Sequence, residues 1–333
     1  MKKFLNDPVN FVDEMLEGIY GAHRELTYVA DDKRCMVTAK PKAGKVGIAT
    51  GGGSGHLPLF LGYVGDGMLD GAAVGGVFQS PSAEQMYQVT KHIDQGAGVL
   101  YIYGNYSGDI INFDMAAELA DLDGIQVKQV VGNDDVASSV VGEEHKRRGV
   151  AGIFFVYKAA GAAAAEGLSL DEVMRIADKA RSRTRTMGVA LSSCVVPEIG
   201  HATFSIGEDE MEIGMGIHGE PGISRKKLAP ADQVIDEMME RIFAEQDYKQ
   251  GNDVAVLVNG LGGTPMEELY ILFRRVAQLL DARGVKAKHV WVGEFATSME
   301  MAGASISVLH LDEELDRLVS APANTPFFKH FAS

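Results

Sequence analysis

Two glycine-rich segments, each carrying one histidine, are the places where this chain has the means for chemistry. They are Gly51-Gly52-Gly53-Ser54-Gly55-His56 and Gly214-Met215-Gly216-Ile217-His218-Gly219-Glu220-Pro221-Gly222. Glycine lets backbone approach a small ligand and adopts dihedrals that other residues resist. Imidazole moves protons near neutral pH, and its neutral ring is also a nucleophile. Two such turns far apart in sequence point to one small-molecule site assembled from distant parts of the chain. The first segment is no Walker A loop, because no Lys-Ser/Thr follows its glycines, and it does not fit G-x-G-x-x-G. It reads either as a strand-to-helix turn with a capping serine or as a ligand cradle with His56 as a base. His218 sits between glycines in a stiff turn with few packing partners, which leaves a ligand contact or a plain surface turn. A third polar group, Asn105-Tyr106-Ser107-Gly108-Asp109, follows an apolar run. Asp109 there is placed to orient a histidine, to bind a substrate hydroxyl or to cap the next helix.

The elements that must position these residues follow from the hydrophobic pattern. Asp7-Pro8 reads as a helix start, and Val9, Val12, Met15, Leu16 and Ile19 then keep helical spacing. The spacing predicts strands over 45–49, 71–74, 99–103 and 127–131. It predicts helices from Leu57, over 83–95, over 110–121, over 159–166 and over 170–183. Residues 153–157 (IFFVY) are a further apolar run. This alternation implies an α/β domain on a largely parallel sheet flanked by helices, placed at residues 1–187. From 188 to 333 a second α/β or α+β domain is expected. Short strands over 202–206 and 211–216 look like a hairpin, and helices are expected over 231–245 and 266–283. Further strands are expected over 254–258, 289–292 and 305–311. The substrate site then lies between the two domains, with His218 on the second.

Other candidates carry less. His145-Lys146-Arg147-Arg148 reads as a solvated face or a partner contact. The arginines of 181–185 read as a solvated helix end or a phosphate contact. Glu208 to Glu212 is acidic but lies in the expected hairpin, with too few converging ligands for a metal. Asn259 to Thr264 is another glycine-rich strand end that lines a pocket or an interface. The chain has 333 residues, 46% of them hydrophobic, enough for one large or two medium cores. Its net charge of −15 argues against nucleic acid or an anionic membrane as a general partner. Cys35 and Cys194 fit no metal spacing and read as reduced thiols. The first eight residues hold no sustained apolar run, so no signal peptide is expected, and no stretch reaches membrane-spanning length. A soluble cytoplasmic protein follows as the expectation.

Taken together, the motifs resemble those of the substrate-binding K subunit of dihydroxyacetone kinases. The resemblance is carried by GGGSGH at Gly51–His56, NYSGD at Asn105–Asp109, Asp134-Asp135-Val136-Ala137, GIHGEPGI at Gly216–Ile223, VNGLGGTP at Val258–Pro265 and Thr297-Ser298-Met299. It implies a homodimer of two-domain α/β subunits that holds a short-chain ketose between the domains. His218 would hold the ketone carbon as a covalent hemiaminal, which selects ketones and aldehydes over alcohols by chemistry. His56 would be the base for the terminal hydroxyl, and Asp109 would bind hydroxyls and support His56. Gly53, Ser54, Gly55 and Gly104 would lie along the substrate. The resemblance places no cofactor on this chain. ADP or ATP with Mg²⁺ would sit on a separate L subunit, recharged in some members by a phosphohistidine-bearing M subunit, so the chain alone would be inactive.

Two departures bear on specificity. Many dihydroxyacetone-specific members read SGHEP where this chain has Ser54-Gly55-His56-Leu57-Pro58, and they carry lysine in the slot of Gly104. Both changes remove polar anchors and imply a variant ketose such as erythrulose. The alternative reading is a ketose-sensing regulator on the same scaffold that transfers no phosphate. A stand-alone oxidoreductase is poorly supported, since no dinucleotide fingerprint is present.

Overall fold

The computed structural model describes residues 2–202 and 204–331. Two six-stranded sheets organise them. The first contains β1 (Leu26–Val29), β2 (Asp32–Thr38), β3 (Gly47–Ser54), β4 (Gly71–Val77), β5 (Val99–Gly104) and β6 (Val127–Gly132), in the order β1-β2-β4-β3-β5-β6. β4, β3, β5 and β6 are mutually parallel, whereas β1 and β2 form an antiparallel edge. The central strands are buried along their length because helices cover both faces. α2 (Ala83–Ile93) and α3 (Ser107–Leu122) pack on one face through Met86, Val89, Ile93, Phe113 and Ala116. α1 (Phe11–Ala22) adds Val12, Leu16 and Ile19 to the larger core on the other face.

Consecutive β3 and β4 lie side by side, and β5 takes the other flank of β3. This reversal of direction opens a crevice at the carboxyl ends of β3 and β5, where ligands sit in such sheets. The glycine segment does not form the expected tight turn. β3 runs through all three glycines to Ser54. A Cβ on Gly53 would lie 2.6 Å from the Cα of Phe78, so only glycine lets the strand end lie against the segment after β4. Nor does a helix start at Leu57. The Leu57–Pro58 peptide is cis, Phe60 has a left-handed φ of 68°, and only the short 3₁₀ turn Leu61–Tyr63 follows. Pro58 together with Gly62, Gly65 and Gly67 denies the segment a helix.

The run 153–157 is the start of a helix. α4 (Ile153–Ala165) is buried on every side from Ile153 to Ala164, and α5 (Leu170–Ser182) packs against it. A helix apolar all round looks like a buried strand in a short window. Lys158 within it satisfies its ammonium on the carbonyl of Ala321.

The second sheet contains β7 (Thr184–Ala190), β8 (Glu210–Ile213), β9 (Ser224–Lys227), β10 (Asp253–Gly260), β11 (Lys286–Gly293) and β12 (Gly303–His310), in the order β11-β10-β12-β7-β8-β9. Only β10 and β11 are parallel neighbours. α6 (Ala231–Glu245) and α7 (Met266–Ala282) cover one face. β7 spans the division drawn at 187/188. The hairpin expected over 202–216 is replaced by β8 paired with β9, whose connection carries His218. Ala202 makes only an isolated bridge with Val195, and Thr203 lies outside the described residues.

The two sheets share a core. Ile48, Leu100 and Ile102 of the first join Leu257 and Leu309 of the second around α4 and α8 (Glu313–Val319). Phe154 and Phe155 of α4 lie 5.7 and 6.0 Å from the Trp291 ring on β11. No helix among the described residues is long and apolar enough to cross a membrane.

Of the basic run 145–148, His145 and Lys146 are exposed as expected, but the two arginines are not. Arg147 is fully buried and forks onto both carboxylate oxygens of Glu245 at 2.8 and 3.0 Å, and Arg148 is bound to Asp135. Arg181 and Arg183 are occupied by Asp178 and Asp312. Glu212 is likewise structural, accepting from the Gly222 amide at 2.8 Å and from Arg225. Asp134 accepts the backbone N–H groups of Val150 and Gly152, both at 2.9 Å, and so fixes the entrance of α4. Asp134→Ala leaves two buried donors unmet and is expected to lower stability by about 1–3 kcal/mol in urea unfolding. A midpoint equal to that of the wild-type chain would contradict this role.

Candidate active site

Three loops meet over the crevice. The segment after β3 brings His56, the turn into α3 brings Asp109, and the loop between β8 and β9 brings His218. The His56 and His218 rings are 4.7 Å apart and nearly perpendicular. One narrow cavity is lined by Gly53, Phe60, Gly104, Tyr106, Asp109 and His218, with apolar walls from Leu59, Val150, Ile153 and Ile217. The predicted residues Gly53, Gly104, Asp109 and His218 therefore share one space, with His56 beneath it. Ser54 does not join them, since its hydroxyl is spent on the Gly75 carbonyl at 2.8 Å. Gly55 and Leu57 line a different surface groove, with Phe11, Met15 and Met299. Leu57 is thus not part of the cavity wall, and of the two departures only Gly104 touches it. A Cβ on Gly104 would approach the Tyr106 ring to 2.9 Å.

His56 is almost completely buried. Its Nδ1 donates to the Thr297 carbonyl at 2.7 Å, because a carbonyl only accepts. Nε2 is left buried without a partner. Burial first, and then the neighbouring His218, lowers this imidazole to about 3, against the opposing pull of Thr297 and Glu220. His56 is therefore neutral in the resting site, with a lone pair on Nε2. Phe78 stacks on it with ring centroids 4.9 Å apart, and Phe60 meets it edge-on at 6.1 Å. Phe60, Phe78 and Met299 all have left-handed φ, at 68°, 60° and 55°. Backbone strain of this kind costs about 1 kcal/mol or more per residue and gathers where a site over-determines its geometry.

His218 is held differently. Its Nδ1 donates to Glu220 Oε1 at 2.8 Å, and its backbone N–H donates to Glu220 Oε2 at 3.0 Å. In the neutral ring this tether leaves the lone pair on Nε2. Burial alone would raise the Glu220 carboxyl, but the hydrogen bond and charge of His218, with Arg148 behind, hold it well below the usual range. Tyr106 lies edge-on to His218 at 4.6 Å and donates its hydroxyl to the Gly149 carbonyl. Gly216 is required here, since a Cβ would lie 2.1 Å from Glu220 Oε2.

Asp109 lies in the first turn of α3, where Tyr106 is the residue at the cap position. Capping is therefore not its role. One carboxylate oxygen is buried without a hydrogen-bond partner, and burial pushes the group up to about 6 against the opposing effects of Ser80 and His218. It does not orient His56, whose Nδ1 belongs to Thr297. Sequence reasoning missed Arg148, Thr297 and Tyr106 as parts of this site. Thr297 contributes a backbone carbonyl and leaves no side-chain signal. Glu220 was legible in principle, because its spacing of two from His218 suits a local carboxylate–imidazole pair.

Comparison with known proteins identifies the family. The family described as the Dak1 domain matches residues 17–327. The PTS-dependent dihydroxyacetone kinase 2, dihydroxyacetone-binding subunit DhaK, of Listeria innocua is 48% identical over 331 residues, covering 99% of each chain. The D-erythrulose kinase of Mycolicibacterium smegmatis is 43% identical over all of this chain, which spans 57% of that longer protein. The solved structure of the dihydroxyacetone kinase operon co-activator Dha-DhaQ superposes with a TM-score of 0.89 at 32% identity, over 96% of this chain and 98% of that one. With two mixed sheets, a histidine from each and a family match along most of its length, the chain belongs to the Dak1 domain family.

Proposed function

We propose that this chain is the substrate-binding subunit of a short-chain ketose kinase. The observation that carries the reading is the pair of imidazoles in one cleft, each tied at Nδ1 and each left with Nε2 for chemistry. The lone pair of His218 Nε2 adds to the ketone carbon and the carbonyl π pair moves to oxygen. Positive charge arising on the ring faces the Glu220 carboxylate. The oxygen takes up a proton and the ring gives one up, which leaves a neutral hemiaminal. Alcohols have no carbonyl to respond, so they are rejected without any difference in shape. His56 Nε2 accepts the proton of the terminal hydroxyl as that oxygen attacks phosphorus. Asp109 and the backbone of Gly53 and Gly104, which line the same cavity, would partner the sugar hydroxyls.

The phosphoryl group would come from ATP with Mg²⁺ on a nucleotide-bearing L subunit, and in phosphotransferase-linked systems a phosphohistidine M subunit would recharge the ADP left there. Catalysis is then positioning and electrostatics across two proteins. The subunit works as a homodimer in the cytoplasm. With glycine and no lysine at position 104, the cavity wall lacks a polar anchor, which supports a variant ketose such as erythrulose. The likeness to a co-activator supports a second reading, a ketose sensor that retains the adduct and transfers no phosphate.

Turnover of dihydroxyacetone and erythrulose with an L subunit tests the proposal. His218→Ala is expected to lose the adduct and nearly all turnover. His56→Asn should keep the adduct and lose turnover by a factor on the order of 10²–10⁴. An adduct without turnover on any L subunit would favour the sensor. Turnover of dihydroxyacetone far above erythrulose would overturn the four-carbon assignment.

Asp109 adds a prediction on stability. Between about pH 4 and 6 the folded chain holds a proton on this group that the unfolded chain releases, so the group's contribution falls as pH rises through that window. Asp109→Asn is expected to be more stable than wild type at pH 7, by up to about 3 kcal/mol, and to lose the advantage near pH 4. The same variant should bind ketose more weakly. Equal stability at both pH values in chemical unfolding would contradict the raised carboxyl.

A further inference from the structure

We propose that Arg148 is a positioning residue, acting through Glu220 to keep His218 in the tautomer that carries its proton on Nδ1. The proposal rests on the reading of His218 Nε2 as the nucleophile. Arg148 is largely buried, and its guanidinium is held at two points by one carboxylate. Nε donates to Asp135 Oδ2 at 2.9 Å, and Nη2 approaches the same oxygen at 2.8 Å. Nη2 also donates to the carbonyl of Gly214, the residue that opens the loop bearing His218, at 2.9 Å. Asp135 is itself fixed, because its other oxygen accepts the Ala137 amide and its own amide donates to the Arg148 carbonyl.

What remains of the guanidinium faces Glu220, with Nη1 4.0 Å from Oε2. The two groups meet across Gly216, where a Cβ would lie 2.1 Å from Glu220 Oε2 and 2.6 Å from Arg148 Nη1. A side chain at that position would therefore part the two groups. An arginine does not lose its proton in a protein, so a permanent positive charge lies behind the carboxylate. An ionised carboxylate only accepts hydrogen bonds. Both of its oxygens are then available to His218, one for Nδ1–H and one for the backbone N–H. If Glu220 turned away or took up a proton, Nδ1 would lose its acceptor. The ring could then carry its proton on Nε2, and the nucleophilic lone pair would be on the wrong side. Arg148 touches neither substrate nor His218, so its effect travels through Glu220.

The full chain with ¹⁵N-labelled histidine tests this. The imidazole nitrogen shifts of His218 report the tautomer, and the carbonyl carbon of ¹³C-labelled dihydroxyacetone reports the adduct. Arg148→Met is expected to move His218 towards the Nε2–H tautomer and to weaken adduct formation by about tenfold. Arg148→Lys, which keeps the charge, should restore most of the loss. Combined with Glu220→Gln, Arg148→Met should cost nothing beyond Glu220→Gln alone, because both changes break one chain of contacts. The proposal is overturned if Arg148→Met leaves the His218 nitrogen signals unchanged, or if its effect multiplies with that of Glu220→Gln. If Arg148→Met does not fold, Arg148→Gln, which also removes the charge, takes its place, and the same two results would overturn the proposal. A wild-type chain that forms no adduct would sink the nucleophile reading separately, while the tautomer signals would still decide whether Arg148 acts on His218.

Discussion

Everything in the site depends on keeping two imidazoles close together and differently tethered. A neutral ring has one donor and one acceptor nitrogen, so fixing an acceptor at Nδ1 decides where the lone pair goes. For His56 that acceptor is a carbonyl on the segment between β11 and β12. For His218 it is a carboxylate two residues along the same loop. The first tether joins the two sheets directly, because His56 follows β3 of one sheet and Thr297 precedes β12 of the other. Chemistry and tertiary structure are thus secured by the same 2.7 Å hydrogen bond.

The arrangement is costly to fold. Asp109 has a buried oxygen without a partner, His56 has a buried nitrogen without one, and three residues around His56 lie in left-handed backbone conformations. These terms are offset by the shared core, in which α4 and the aromatic rings of Phe154, Phe155, Trp291 and Phe328 lock the sheets together. Orphaned polar atoms facing a cleft are what a ligand's hydroxyls would satisfy. The site is accordingly less comfortable empty than the rest of the interior.

Much of this was legible in the residues, for physical reasons that differ by element. β5 and β10 are apolar runs bounded by glycine, and α6 keeps a clean 3.6-residue pattern from Ala231 to Glu245. Gly53 and His218 stand out because their types suit a cradle and a nucleophile, whereas Gly104 enters only through the family resemblance and Asp109 alone also suits a helix cap. What stayed hidden is mostly long-range. Arg147 and Arg148 belong to a run of four basic residues that looks solvated, and their partners Glu245 and Asp135 are brought to them only by the fold. The helix at 153–165 mimics a strand because it is buried on all sides. β1 and β2 carry too many polar residues, among them Lys33 and Arg34, to read as strands at the edge of a sheet.

The burial of α4 has a mechanical consequence. Hinged two-layer proteins admit ligands by swinging their layers apart, but here that motion would bring a whole helix into water. Wetting Ile153, Phe154, Phe155, Val156 and Tyr157 alone would cost on the order of 10 kcal/mol. The two halves are thereby joined as one block, so a ligand would have to reach the cleft past the loops at its rim. The rim is also the part of the molecule that a second protein can grasp. A partner pressing on the loops that bear His56 and His218 would reach the cleft without bending the frame.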